Sequence, residues 1–397
     1  MAGIEIIPVD NLSRFLTFCK LPRLIYKGAR GFAPSLDVER WNLYSHKLNP
    51  HFKHVEAQEF LARKDGKWVG RIGAQVYKPE IQPVSASRWQ FGSLDAIDDI
   101  EVVRALTRAA EDWLRARGAE SIVGPFSPDI NGESGVLIEG FEATPMFLMP
   151  WHPPYLSRLI EALGYEKAKD LISYRHLAAD QDLGKERRIA DRPEWRGRLK
   201  IRQLDRDHLK QGETALMSEL FNDAWRGNWG FVPLGKDELD GFADLMKYVM
   251  PPEFGIVLEF DGAPVSFAVA LPNLHEITAD FDGKLLPFNL IKLISRIRKH
   301  KFSTARLLLL GTRKALQNSA TGGAILLSMI EDMRRRSCVD ANIVALEAGW
   351  VLEDNMGMRK PIEMFGGKID KIHRIYEKRV TGAPPVSSEA VREGATP

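Results

Sequence analysis

The strand-like run NIVALEAGWVL places one charged residue, Glu347, among apolar neighbours. Burial disfavours the charged form of a carboxylate and raises its pKa towards neutrality, which would make Glu347 a general base. Alternate positions of a strand also face solvent, and there the same side chain would do no chemistry. His152, in PWHPPY, is a second residue able to exchange a proton near neutral pH, or else a loop histidine held for structure. Asp129, Asn131 and Glu133 crowd SPDINGESG, where their oxygens either orient a polar substrate or satisfy the backbone of a turn. A serine hydrolase is excluded at this loop. Val136 stands where the second glycine of a nucleophile elbow should follow Gly132-Glu133-Ser134.

Positioning these groups falls to two runs of elements in the same order. In the first, EFLARKDGKWVGRIGAQVY is a hairpin turning at Asp65-Gly66. A helix from Glu101 to Gly118 follows, with Val102, Leu106, Ala110, Trp113 and Leu114 at helical spacing. ESIVGPF reads as a strand, PPYLSRLIEALGY as a helix with prolines at its start and Gly164 at its end, and KDLISYRHL as a strand. The second run repeats the order: a hairpin at Asp261-Gly262, the strand ARLLLLGT, the helix GAILLSMIEDMRRR, the strand bearing Glu347, a helix stopped by Gly366-Gly367, and KIDKIHRIYEK as a last strand. Pro361 lies inside that last helix if it begins at Asp354, which predicts a kink or a later start.

The duplicated order predicts an α/β fold of two tandem units, 1–177 and 201–380, each a mixed sheet flanked by helices. The charged segment 178–200 is the expected linker and 381–397 a disordered tail. A length of 397 residues fits two domains. The net charge of +2 argues against nucleic acid as a partner. Two cysteines, one per half, allow neither a disulfide framework nor a metal-ligand spacing, so no metal is expected and a reducing cytosol suits the chain. No apolar run of about 20 residues exists to cross a membrane. In LLPFNLIKLISRIRKHKF, however, Leu286, Leu290, Leu293, Ile294 and Ile297 share one helical face and Lys292, Arg296 and Lys299 another. Such a helix either packs its stripe on the domain or lies at the surface of an anionic membrane.

Four longer stretches carry a family resemblance: IYKGARGFAPSLDVER with LNPHFKHVEAQEFLARKDGKWVGRI; GPFSPDINGESGVLIEGFEATPMFLMPWHPPY; FNDAWRGNWGFVPL; and ALEAGWVLEDNMGMRKPIEMFGGKI with IHRIYEK. Together they resemble the bacterial ceramide-synthase-like, or YghO-like, tandem GNAT acyltransferases over roughly residues 5–380. The resemblance implies transfer of a fatty acyl group from acyl-CoA to a long-chain amine such as a sphingoid base. Glu347 or His152 would then be the base, while Asp129, Asn131, Glu133 and Tyr155 would face the amine and its head group. Trp225 and Trp229, in AWRGNWGF, would wall a lipid-chain groove.

In GNAT proteins a Gln/Arg-x-x-Gly-x-Gly/Ala loop opens the helix that holds the CoA phosphates. The matching residues here are Ser319, Thr321, Gly322, Gly323 and Ala324, with Ser319 in place of Gln or Arg. Gly311, Thr312, Arg313 and Asn355 would complete the acyl-CoA site. The corresponding place in the first half holds Asp95, Asp98, Asp99 and Glu101, which would repel phosphates, so that half is expected to hold no CoA. The tyrosine by which many GNAT enzymes protonate the leaving thiolate is replaced by Ile160 and Ile362. Two other readings stay open on the sequence: a degenerate GNAT fold that binds lipid or a partner protein, and a transferase that uses aminoacyl-tRNA.

Overall fold

The computed structural model describes residues 3–180 and 189–380; part of the charged segment, 181–188, and the tail 381–397 lie outside them. The first half contributes strands β1 (Ile4–Pro8), β2 (Val55–Lys64), β3 (Lys67–Tyr77), β4 (Trp89–Ala96), β5 (Ser121–Gly124), β6 (Phe126–Ser127), β7 (Glu133–Ser134), β8 (Val136–Glu139) and β9 (Glu166–Leu177). Its helices are α1 (Leu12–Ile25), α2 (Asp37–Tyr44), α3 (Ile100–Arg115) and α4 (Tyr155–Ala162). The second half contributes β10 (Leu199–Gln203), β11 (Gly255–Phe260), β12 (Ala263–Pro272), β13 (Thr304–Thr312), β14 (Ala345–Leu352) and β15 (Lys368–Arg379). With these come α5 (Glu213–Trp225), α6 (Lys236–Val249), α7 (His275–Thr278), α8 (Asn289–Lys299), α9 (Ala320–Arg335) and α10 (Met356–Met364).

Both hairpins turn where their sequences demand it. Asp65 and Gly66 have φ of 50° and 73°, and Asp261 and Gly262 have 50° and 84°. Two successive positive φ values match the right-handed twist of the flanking strands, and an Asp-Gly pair tolerates them. Helix α3 buries Val102, Leu106, Ala110 and Leu114 on the first half's sheet, each large side chain worth about 1.5–3 kcal/mol. Asp99 caps it by accepting from the Glu101 N–H at 2.9 Å. Helix α10 begins late, at Met356, with Asn355 as its cap, and it contains Pro361.

The halves are joined by strand exchange. One sheet runs β1-β2-β3-β4-β5-β15-β9-β14-β13-β12-β11-β10, with β8 also on β15. Strand β15 of the second half thus pairs with β5 and β8 of the first, and β9 of the first half pairs with β14 of the second. Residues 1–177 and 201–380 are therefore bonded across β9 and β15 into one continuous sheet.

Two strands in each half run parallel and part company. In the second half β13 and β14 pair only from Thr304↔Ala345 to Leu307↔Ala348. At that level β13 has a bulge against β12, where Val269 meets Leu309 and Ala270 meets Leu307. In β14 the pairing with β9 skips from Ala348 to Val351. A bulge bends and twists its strand, and two at one level open a gap. In the first half β4 and β5 pair only at Gln90↔Val123. There main chain fills the space: a Cβ on Gly92 would stand 1.6 Å from Phe126 O, and one on Gly124 2.1 Å from Phe91 O.

Candidate functional site

The gap between β13 and β14 opens into a cavity of about 860 Å³ between α9 and α10. Its apolar wall includes Leu307, Leu326, Ile330, Leu346, Met358 and Ile362. Its polar end is the start of α9. Ser319 caps that helix, accepting from Gly322 N at 3.0 Å while its hydroxyl donates to Leu316 O at 2.6 Å. Such a cap is worth about 1 kcal/mol. Helix N-termini carry partial positive charge and backbone N–H groups without helical acceptors. Lys314, from the turn before α9, and Lys360, from α10, also line the cavity, and neither has a carboxylate partner among the described residues.

The residues singled out for the cofactor divide between wall and interior. Gly311, Thr312, Ser319, Gly322, Gly323 and Asn355 line the cavity. Arg313 turns away, donating to Pro264 O at 3.0 Å and to Glu219 at 2.8 Å, and the wall cation is its neighbour Lys314. Thr321 is half-buried on α9 and Ala324 is buried in the protein interior. The two glycines have different reasons to be there. A Cβ on Gly322 would lie 1.9 Å from Leu316 O, whereas one on Gly323 would meet nothing within 4 Å.

Glu347 is 1% exposed, so the solvated reading of this strand position is removed. Leu346 and Ala348 face the large cavity, which directs Glu347 to the opposite face of β14. One carboxylate oxygen, Oε2, accepts from the ammonium of Lys371, itself 4% exposed; the other, Oε1, is buried with no hydrogen-bond partner. Arg306 pairs in register with Glu347 across the parallel ladder. Its guanidinium holds Gly349 O from Nε and Nη2, at 3.1 and 3.0 Å, and Phe147 O from Nη1. Burial pulls the Arg306 pKa down to about 10 although Glu347 and Glu133 both oppose this. His373 donates from Nε2 to Pro150 O at 2.8 Å; its Nδ1 and the nearby strand hydroxyl of Ser173 lack partners. Burial holds His373 neutral, with a pKa of about 3. Together Arg306, Glu347, Lys371 and His373 form a buried polar row roofed by the segment 145–152 of the first half.

On this second face a smaller apolar cavity, of about 80 Å³, lies among Met217, Phe221, Phe242, Leu309 and Arg306. Trp225, Leu308 and Trp350 line both cavities, so the gap in the sheet is where they meet. The rings of Trp225 and Trp350 are edge to face at 6.0 Å. Asn131 lines the smaller cavity. Trp229 sits beside neither, at a pocket of about 10 Å³, with the Lys169 ammonium 6.0 Å from its ring.

Other residues expected at the substrate are held elsewhere. Asp129 accepts from the N–H groups of Asn131 and Gly132 at 2.9 and 3.0 Å, closing a turn. Glu133 forms an ion pair with Arg40, whose Nη1 is 2.8 Å away; despite burial, the guanidinium keeps the carboxyl pKa low. His152 is 6% exposed, accepts from Leu137 N at 3.3 Å, and is held neutral by burial. Both line a compact polar pocket of about 80 Å³ with Arg71, Asp95 and His275. Tyr155 donates to Ala96 O at 2.8 Å. In the first half Asp95 pairs with Arg71, Asp98 with Arg158 and Asp99 with Lys64, so the start of α3 is surrounded by neutralised carboxylates. Among the described residues, Ile362 is on the cavity wall and no tyrosine is.

Comparison with known proteins gives two close sequence relatives. The chain is 39% identical over 382 residues to bacterial ceramide synthase of Caulobacter vibrioides (strain NA1000 / CB15N), covering 95% of this chain and 98% of that one. It is 38% identical over 372 residues to protein YghO of Escherichia coli (strain K12), covering 94% and 93%. No protein-family model matches the chain. Among solved structures, a tandem GNAT protein from the clavulanic acid biosynthesis pathway aligns with a TM-score of 0.57 at 12% identity, over 96% of this chain and all of that one. A probable N-acyltransferase of unknown function from Enterococcus faecalis V583 aligns at 0.51 and 9% identity, over 95% and 73%. The likeness in structure is one of fold: two GNAT units in tandem.

Proposed function

The chain belongs to the family of bacterial ceramide synthase and YghO, and from that premise we propose that it is an acyl-CoA-dependent N-acyltransferase acting on a sphingoid base or another long-chain amine. One observation carries the reading: the sheet is open between β13 and β14, with a phosphate-type helix start on one face and a buried carboxylate on the other. The thioester's phosphates would lie at the start of α9 beside Lys314, and its pantetheine would run along the unpaired edges of β13 and β14. Backbone N–H groups there have no ladder partner and can donate to the thioester carbonyl. The amine would come from the face roofed by residues 145–152.

In the transfer, the amine nitrogen bonds to the thioester carbon and its proton passes to Glu347 Oε1, the oxygen with no partner. The tetrahedral intermediate then collapses, breaking the carbon–sulfur bond and releasing the CoA thiolate. Lys371 stabilises the carboxylate without occupying both of its oxygens. An alkyl thiol has a pKa of roughly 8.5, so its thiolate leaves readily, and the proton held by Glu347 passes through solvent to the sulfur, which restores the base; the isoleucine at 362 is then no obstacle. The apolar wall of the large cavity, and the tryptophans at the gap, suit a hydrocarbon chain brought up to the carbonyl. Purified protein given palmitoyl-CoA and sphinganine should yield N-palmitoyl-sphinganine by mass spectrometry, with one free thiol per amide. Absence of amide together with absence of CoA binding would sink the reading.

Helix α8 fits a protein that takes such substrates from a membrane surface. No described helix is long and apolar enough to cross a membrane. Yet α8 has no buried residue, and Leu286, Phe288 and Ile291 are at least 70% exposed. Ile297 alone among its apolar residues packs on the core of the second half, and Arg296 is drawn back to Asp280 and Ile277 O, leaving Lys292, Arg298 and Lys299 outward. Sedimentation with vesicles containing about 30% anionic lipid should retain the protein at low salt. Phe288→Ser with Ile291→Ser should reduce the bound fraction at least fivefold, since two apolar side chains would no longer enter the interface. Equal binding by the double variant would remove α8 from the reading.

A further inference from the structure

Three side chains of metal-ligand type converge where the halves meet, and the acyl-transfer site uses none of them. His51 comes from the turn Pro50–Lys53, Asp129 from the loop after β6, and Glu238 from the first turn of α6. One ligand atom of each lies within 4.8 Å of those of the other two. We propose that these residues bind a divalent cation of the zinc class, which clamps the first half to α6 of the second.

The hydrogen bonds around His51 set its ring chemistry. The amide nitrogen of Gln75 donates to Gln90 Oε1 at 3.0 Å and to Pro128 O at 2.6 Å. The amide oxygen of Gln75 is thereby turned to His51 Nε2, 2.9 Å away, and that ring nitrogen must carry the hydrogen. In the neutral ring Nδ1 is then a bare lone pair, and it faces Asp129 Oδ2 at 3.4 Å. Two acceptors do not face one another without something positive between them. A charge-assisted hydrogen bond would close to about 2.7–2.9 Å. Bonds of about 2.0–2.1 Å to one tetrahedral ion place nitrogen and oxygen roughly 3.3–3.4 Å apart, which is the separation seen here. An N–H donated from the far ring nitrogen to a carbonyl oxygen is also how metal-bound histidines are commonly oriented.

Charge and an orphaned hydroxyl point the same way. Asp129 is 7% exposed, and the Glu238 carboxylate lies beside it and His51. A protonated His51 would neutralise one of these carboxylates, whereas a dication neutralises both. The hydroxyl of Tyr77, 1% exposed, has no hydrogen-bond partner, and its ring lies edge-on to that of His51 at 5.8 Å. The two charges that bear on this hydroxyl are Asp129 and Glu238. A water completing the tetrahedral shell would give Tyr77 the partner it lacks.

The test uses the full chain, stripped with EDTA, dialysed, and titrated with zinc sulfate by calorimetry. One zinc per chain is expected, with cobalt(II) giving the visible bands of a tetrahedral site and zinc raising the melting temperature of the stripped protein. Glu238→Gln keeps an acceptor for the Gly235 N–H and should match the stripped wild type in melting temperature, yet bind zinc roughly 100-fold more weakly. His51→Asn should also lose the cobalt bands. Uptake well below one zinc per chain, or equal affinity in wild type and Glu238→Gln, would overturn the proposal and leave a protonated His51 between the carboxylates.

Discussion

Glu347→Gln is expected to lower kcat for amide formation by about 10²–10³-fold while leaving KM for acyl-CoA within about twofold. The split follows from the side of the sheet on which the carboxylate lies. Leu346 and Ala348 face the large cavity, and Glu347 faces the polar row with Arg306 and His373, away from the thioester's carrier. Glutamine keeps the shape and still accepts from Lys371, but its nitrogen or amide oxygen cannot take the amine's proton. Removing one partner of a buried ion pair commonly costs about 3–5 kcal/mol. Here the loss should be smaller, because Lys371 keeps Asp370 at 2.8 Å. Urea unfolding measures that cost, and single-turnover amide formation at saturating substrate measures the chemistry. A variant that binds acyl-CoA normally and turns over within threefold of wild type would remove Glu347 as the base. If acyl-CoA affinity falls in step with turnover, Glu347 is a positioning residue for the strand.

The signal that exposed Glu347 was local, a lone charge in an apolar strand, and the same signal was present at Arg306 in ARLLLLGT. An arginine at one strand position is ordinary until its register partner is known, and register is a long-range property. Arg306 and Glu347 are paired across the parallel ladder between β13 and β14. Lys371 and His373 were hidden more deeply. They stand in a charged segment with poor alternation, and only the insertion of β15 between β5 and β9 buries them. Turns and helix ends were legible for the opposite reason, since Asp65-Gly66, Asp261-Gly262, Gly164 and Asn355 act on their immediate neighbours. Arg313, expected at the cofactor, and its neighbour Lys314, found there, show the limit of such reading. Adjacent residues of one turn point apart, and Glu219 of α5 draws off the first. Asp129 and Glu133 have the chemistry of a substrate site, but distant segments bring His51 and Arg40 against them.

The two glycines that open α9 should separate fold from binding. Gly323→Glu puts its side chain where a Cβ meets nothing within 4 Å, on the wall beside Lys314 and the helix start. The added carboxylate would oppose the partial positive charge of the helix end, where a charge of the right sign contributes about 0.3–1 kcal/mol and up to about 2 in a partly buried site. Repulsion with a multiply charged phosphate adds to this, so KM for acyl-CoA should rise at least tenfold, with melting temperature nearly unchanged and kcat recovered at saturation. Gly322→Ala should do the reverse. Its methyl would sit 1.9 Å from Leu316 O, so the turn Lys314–Leu316 or the first turn of α9 must shift, at a cost of roughly 1–3 kcal/mol. That shift also breaks the Ser319 cap and moves Gly323 with it, so stability and affinity should fall together. Equal KM values for wild type and Gly323→Glu would place the phosphates away from α9. The carrier of the acyl group would then lack the one feature of this cavity built for an anion.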